Sequence, residues 1–257
     1  MASNDDLVLA RSRGARWLPS PRVGTLEAAA RFIDDIGFAV LFPADRVEVP
    51  SLFEAIADPD SVAWAQGMGV VESMVWTWKD ALPAAGYAWS GKLLHRRASL
   101  VSPALLASLY QGHGDLDDHR SFELPPDSHR IAEALLHGPL PSSALRELVG
   151  DRKRYSQGMT ELHRSLLVTS AGIVEQRGGW PATLVDLTCR VFDVGRGGDR
   201  AEATRRFLAT VIEANPGGLA KAFGWPLPIA KAELTSLVAT GEAHLNPAGK
   251  HRLADMS

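Results

Sequence analysis

Between Ser128 and Asp186 the apolar positions repeat first at helical and then at strand spacing, with breakers at each change. SHRIAEALL puts Ile131, Leu135 and Leu136 on one side of a helix behind Asp127-Ser128, a pair suited to capping. Gly138, Pro139 and Pro141 stop it. SSALRELVG restarts a short helix, with Leu145 and Leu148 three apart and Gly150 as its C-terminal cap. DRKRYSQGMTELHRSLL reads as a third helix, basic at its start and with Met159, Leu162 and Leu166 on one face. LLVTSAGIVEQ then reads as two short strands meeting near Gly172, and Arg177-Gly178-Gly179-Trp180 as a flexible tip. Three helices followed by a hairpin is the order of a winged helix-turn-helix, whose third helix can enter the DNA major groove.

A similar order returns about seventy positions later, a repeat of architecture rather than of residues. RAEATRRFLATVIEANPGG predicts a helix closed by Asn215-Pro216-Gly217-Gly218, LAKAFGW a short second helix, and IAKAELTSLVATG a third, before the strand-like EAHL. The first half is less regular. GTLEAAARFIDDIG is an amphipathic helix capped by Thr25 and stopped by Gly37, FAVLFP a buried strand, and VPSLFEAIA, VESMVWTWKDAL and PALLASLYQG further helices. YAWSGKLLHRRASLVS reads as a hairpin turning at Gly91. The resulting expectation is an α+β chain of tandem winged helix-turn-helix modules, mainly helical with short β-hairpin wings. Its parts are an N-terminal winged-helix-like α+β module over 17–125, a central winged helix over 127–188 and a C-terminal one over 198–247. Residues 1–16 and 248–257 read as loose tails.

Composition narrows this little: 257 residues, 46% hydrophobic and 22% charged, describe an ordinary soluble protein. No apolar run long enough for a membrane span or a secretory leader is visible, which points to the cytoplasm. One cysteine, Cys189, excludes an internal disulfide and reads as a small buried hydrophobe. A net charge of −3 excludes a protein uniformly coated in positive charge, but DNA responds to local charge. Basic residues cluster at Arg11/Arg13/Arg16/Arg22, Lys92/Arg96/Arg97, Arg152/Lys153/Arg154 and Arg196/Arg200/Arg205/Arg206.

Strong catalytic signatures are missing: no phosphate loop, no Gly-x-Ser-x-Gly and no His-Glu-x-x-His. His113 and His119 around Asp115, Asp117 and Asp118 read as a solvated acidic loop rather than a metal site, and no cofactor is expected. WTWKDALP holds Trp76, Trp78, Lys79 and Asp80. Either its tryptophans are core and its charges surface, or the segment is an active-site rim, with an aromatic to stack on a base and a carboxylate or amine near a sugar. Asp45, Arg46 and Glu48 follow the FAVLFP strand on a loop, a usual place for functional groups. Helical geometry pairs Trp76 with Asp80 four positions on and sets Trp78, Lys79 and Asp80 about 100° apart.

The order RFIDDIGFAVLFP, then ESMVWTWKDALPAAGYAWSGKLLHRRASLVSP, then two helix-helix-helix-hairpin units resembles the AlkZ-type (YcaQ-like) winged-helix DNA glycosylases and AlkZ-related proteins over most of residues 20–245. That resemblance implies a monomer-scale clamp on double-stranded DNA and excision of modified or crosslinked bases. It also implies a Gln-x-Gln or Gln-x-Asp motif just after the first helix, where this chain reads Phe38-Ala39-Val40-Leu41-Phe42-Pro43, apolar throughout. With those positions apolar, Asp45 or Asp80 would orient the water, or Lys79 would attack the sugar through a Schiff base. Arg96, Arg97, Arg152, Lys153 and Arg154 would hold phosphates. Trp78 or the wing-tip Trp180 would fill the gap of a flipped base, and Trp76 would stack on it. The competing expectations are a DNA-binding regulator without chemistry and a protein-interaction scaffold.

Overall fold

A computed structural model describes residues 4–45, 47–59, 61–65, 67–176 and 180–254. The fold is α+β, mainly helical, with small antiparallel sheets. The chain opens with α1 (Asn4–Trp17) and α2 (Leu26–Ile36). Thr25 caps α2 by accepting from the Ala28 amide at 3.2 Å, and Gly37 ends it at φ 84°, as the sequence predicts. Next come β1 (Phe38–Val40), α3 (Leu52–Ile56), α4 (Val70–Ala84), β2 (Trp89–Lys92), β3 (Ala98–Val101) and α5 (Pro103–Leu109). Strand order is β1-β3-β2. Gly91 lies inside β2, and the connection to β3 runs instead through Leu94–Arg96, where His95 and Arg96 both take positive φ.

The central unit is α6 (Pro126–Leu135), β4 (Leu140–Pro141), α7 (Ser142–Val149), α8 (Arg152–Arg164), β5 (Val168–Val174) and β6 (Ala182–Leu187), with sheet order β4-β6-β5. LLVTSAGIV is thus one strand with an irregularity between Ser170 and Ile173, not two strands, and its partner is the segment after the tip. The α6 helix starts at Pro126, so Asp127 and Ser128 lie in its first turn. They are used to hold α8: Ser128 Oγ donates to the Gly158 carbonyl at 3.1 Å, and Asp127 receives Arg154 through two bonds of 2.7 and 2.8 Å. The third unit follows α9 (Thr188–Val191) with α10 (Arg200–Val211), α11 (Pro216–Phe223), α12 (Leu227–Ala239), β7 (Ala243–Leu245) and β8 (His251–Leu253). Asn215 caps α11 rather than closing α10, its Oδ1 accepting from the Gly218 amide at 2.8 Å.

The described parts of the expected loose tails are structured: residues 4–16 lie in α1, where Arg13 donates to the Val211 carbonyl at 3.0 Å, and His251–Leu253 form β8, which completes a hairpin with β7. The units also share one core. Leu135, Met159, Leu162 and Leu166 are buried together with Phe38 and Trp89 from the first sheet and Phe207 and Phe223 from the third unit. Ile173 of β5, beyond the strand irregularity, lies outside this core and is half exposed. A second core fills the space between α2, α3 and α4. Trp89 joins the first sheet to the central unit: its indole N–H reaches the Val168 carbonyl at 3.1 Å and Thr188 Oγ1 at 3.2 Å.

Candidate functional site

Where α4, β2, α8 and the β5–β6 hairpin meet, the structure forms a largely apolar cavity of about 260 Å³ with a few polar groups on its walls. Its first wall is set by the start of α4. The Glu72 carboxylate accepts from the Trp64 amide at 2.9 Å and the Gly69 amide at 3.1 Å, closing the N-terminus of the helix. The Trp64 bond first, and the Gly69 bond with it, hold that carboxyl below its ordinary range. Two turns on, Lys79 and Asp80 line the cavity as an ion pair of 2.6 Å, both side chains about one-fifth exposed (19% and 18%). Adjacent helical residues leave the axis about 100° apart, but these two side chains are long enough to converge. Lys79 also sits 4.7 Å from the ring centre of Trp76, which is half exposed. The expected Trp76–Asp80 pairing is therefore replaced by a Trp76–Lys79–Asp80 sequence of contacts.

The opposite wall comes from Tyr155, Ser156, Met159 and His163 of α8, with Ser90 of β2 and Ser170 of β5 beside them. His163 is the most unusual group. Its Nδ1 is buried with no hydrogen-bond partner among the described residues. Burial first, and then the Lys92 ammonium, push its pKa down to about 3, so it is a neutral imidazole at physiological pH. It comes so close to β2 that a side chain at position 91 would meet its ring at 2.6 Å, which is why glycine stands there. Burial raises the Tyr155 phenol, opposed by the nearby Arg146. The cavity thus combines one neutral imidazole, one ion pair, the Lys92 side chain and several hydroxyls on largely apolar walls, a set that can stack on and hydrogen-bond the edge of a planar ring. Asp80 can accept a proton from a water there. Lys79, an ammonium while paired, offers no lone pair for attack.

Other sequence-predicted positions lie elsewhere. Asp45 is exposed on the loop after β1 and does not line the cavity; Arg46 falls outside the described residues, as do Arg177, Gly178 and Gly179 of the tip. Trp180 is 90% exposed, whereas Trp78 packs against the second core. The Phe38-Ala39-Val40 segment is buried, and Phe38 stacks on Phe207 at 5.7 Å and meets Phe223 edge-on at 6.1 Å.

The basic clusters divide. Arg13 and Arg16 pair with Glu48 and Asp35 at 2.8 and 2.7 Å. Arg196, Arg205 and Arg206 pair with Asp193, Glu202 and Glu242, and Arg200 lies over the Trp225 ring at 6.0 Å. Arg154 is bound to Asp127. Lys92, Arg96, Arg97, Arg152 and Lys153 are exposed, and among the described residues none forms an ion pair. The expected acidic loop is solvated at His113, Asp115 and Asp117, which are exposed, but not at Asp118 and His119. Asp118 is buried and accepts from Tyr110 Oη at 2.7 Å and from the His113 and Gly114 amides at 2.9 and 2.8 Å. Cys189 is half-buried rather than buried, and burial, reinforced by Asp118, pushes its thiol up to about 11, an unreactive form. No group of three His, Cys, Asp or Glu among the described residues is placed to hold a metal ion, and no described helix is long and apolar enough to cross a membrane.

Tyr155, Ser156, Met159 and His163 escaped the sequence reading, although Ser156, Met159 and His163 recur at the helical i, i+3, i+7 spacing that marks one face.

Comparison with known proteins gives two matches. The sequence pattern of a family described as AlkZ related matches residues 23–223. The structure is similar to that of the DNA glycosylase AlkZ of Streptomyces sahachiroi, with a TM-score of 0.60 at 15% identity, covering 99% of this chain and 71% of that one. That likeness concerns the fold. No curated protein matches the chain in sequence.

Proposed function

The chain belongs to the AlkZ-related family, and on that basis we propose that it binds double-stranded DNA and takes a modified nucleobase, turned out of the duplex, into the cavity beside Lys79 and Asp80. The observation that carries this reading is the cavity itself: about 260 Å³, largely apolar, and lined by a neutral buried imidazole and an ion pair. A flipped base is read by hydrogen bonds to its edge, which such groups supply.

In this reading the central and third units are winged helices. The order α6-β4-α7-α8-β5-β6, with β4 paired to the hairpin, supports the first, and α10-α11-α12 followed by the β7–β8 hairpin supports the second. The N-terminal unit supplies the α4 wall. The exposed Arg97, Arg152 and Lys153, without an ion pair among the described residues, hold phosphates; Arg96 faces a different cavity, and Arg154 orders α8 through Asp127. Trp180 is the residue that enters the stack, and Trp76 lies at the cavity rim. Asp80 orients the water that attacks the sugar, since Asp45 lies outside the cavity and Lys79 is engaged. The activity is thus hydrolysis of an N-glycosidic bond, carried out by a monomer in the cytoplasm without a cofactor.

A second reading, recognition of a base without its removal, is favoured by β1. The place where the resemblance puts a polar catalytic motif is here buried apolar structure. One experiment separates the two: an excision assay over a panel of modified duplexes, with binding measured in parallel at several salt concentrations. Release of a base that Asp80→Asn abolishes while DNA binding persists supports hydrolysis. Binding without release from any lesion leaves the recognition reading. Absence of binding at any salt defeats both.

A further inference from the structure

A different cavity, about 580 Å³, opens where the β2–β3 connection, the end of α8 and the α11–α12 pair meet. Its polar lining is His95, Arg96, Arg164 and Lys221, its apolar wall includes Trp225 and Leu227, and among the described residues no carboxylate lines it. The neighbouring cavity of about 470 Å³ shares His95 and Lys221 but is neutralised internally, its Arg13 paired with Glu48 at 2.8 Å and its Lys250 with Glu213 at 2.6 Å. The first cavity lacks that compensation. Only Arg164 has an acid, Glu161 at 3.1 Å, and it is fixed in place by donating to the Gly224 carbonyl at 3.1 Å. Arg96 and Lys221 have no ion pair among the described residues.

His95 reports the resulting field. It is half-buried, and burial first, then the charges of Lys221 and Arg97, push its pKa below the ordinary histidine range. His95 and Arg96 are held toward the cavity by consecutive left-handed backbone conformations, φ 50° and 60°, which residues with a Cβ seldom adopt. Leu227 is 55% exposed on the opposite wall, an apolar surface left beside concentrated positive charge. Uncompensated cations facing apolar side chains match a molecule that is anionic at one end and flat and apolar at the other.

We propose that this cavity is a second binding site, separate from the Lys79–Asp80 cavity, for a nucleotide-sized phosphorylated ligand, its phosphates between Arg96, Lys221 and Arg164 and its base against Trp225 and Leu227. The same chemistry exists at a phosphorylated end of a DNA strand, and the site is assigned here to the free nucleotide. Nothing in this assignment requires the chain to excise bases.

The test is calorimetric titration of the full chain with ADP, with inorganic pyrophosphate and with a 5′-phosphorylated duplex. Saturable one-to-one binding of ADP is expected, weakened about tenfold or more by Arg96→Ala with Lys221→Ala. Leu227→Ser should weaken ADP binding while leaving pyrophosphate binding unchanged. All three positions are exposed, and unchanged thermal midpoints would exclude misfolding as the cause. No saturable binding of ADP, equal binding by the double variant, or binding of the duplex alone with loss in that variant would each overturn the proposal. The last result would assign the cavity to the DNA path instead.

Discussion

Replacing Phe38 by glutamine asks whether β1 is a structural element or a silent catalytic position. Glutamine is the residue type that the family resemblance associates with this part of the chain. Phe38 has no exposed surface, pairs in register with Val101, and contacts the rings of Phe207 and Phe223. Removing a fully buried phenylalanine forfeits about 1.5–3 kcal/mol of transfer free energy, and each aromatic pair adds about 0.5–1.5. The new amide would lie among apolar side chains, at a cost of about 1–3 kcal/mol for its unmade hydrogen bonds. The combined loss is about 3.5–9 kcal/mol, a large part of the 5–15 that folded chains of ordinary stability possess. Urea unfolding followed by tryptophan fluorescence measures it. With a slope of about 1–3 kcal/mol per molar urea, the midpoint should fall by roughly 1 M or more. A midpoint within about 0.3 M of wild type, beyond the usual extrapolation error, would refute the structural role of β1. A variant that also released bases would show that the strand faces a substrate rather than the third unit.

Leu162→Ala should cost about 2–5 kcal/mol in the same assay, since Leu162 has no exposed surface; a loss below about 1 would mean that α8 is wrongly phased. Changing Arg152 and Lys153 together to alanine should weaken binding to all duplex sequences alike and reduce the salt slope by about 1.8, while Arg154→Ala should leave that slope unchanged because Asp127 already holds its charge. Equal slopes in the two variants would contradict this division. His163, depressed to about 3 by burial, is neutral in the fold but charges in the unfolded chain near its ordinary value. The native state therefore binds fewer protons, and its stabilising share is complete above about pH 6.5 and lost as pH falls toward 3. His163→Leu should flatten stability between pH 6.5 and 4.5, above the range where carboxylates such as Glu133, held near 2 by Arg120 and then His119, take over. An unchanged slope in that window would show that His163 is solvated. Gly91→Ala should destabilise the fold and close the cavity against His163, seen as loss of base-dependent binding with sequence-independent DNA affinity retained.

Local chemistry determined much of this protein. The helical periods, the Thr25 cap, the Gly37 and Gly150 stops and the helix-helix-helix-hairpin order are properties of neighbouring residues, and each is legible in the sequence. So is the prominence of Lys79 and Asp80, a charged pair inside an apolar helix. What escaped is non-local. Asp118, in an acidic segment that looks solvated, was buried by its contact with Tyr110, and among the described residues the supposed loose ends contribute to α1, bound through Arg13 to Val211, and to β8, paired with β7. Runs of arginine look alike in sequence, but whether each is available depends on a carboxylate tens of residues away, as Asp127 is for Arg154. The cavity itself has no sequence signature, since its walls come from four elements that only meet once Trp89 has fastened the first sheet to the central unit. Spacing along the chain fixes which face a side chain leaves from; only packing decides what it meets there, and therefore whether a charge is spent within the fold or left for a ligand.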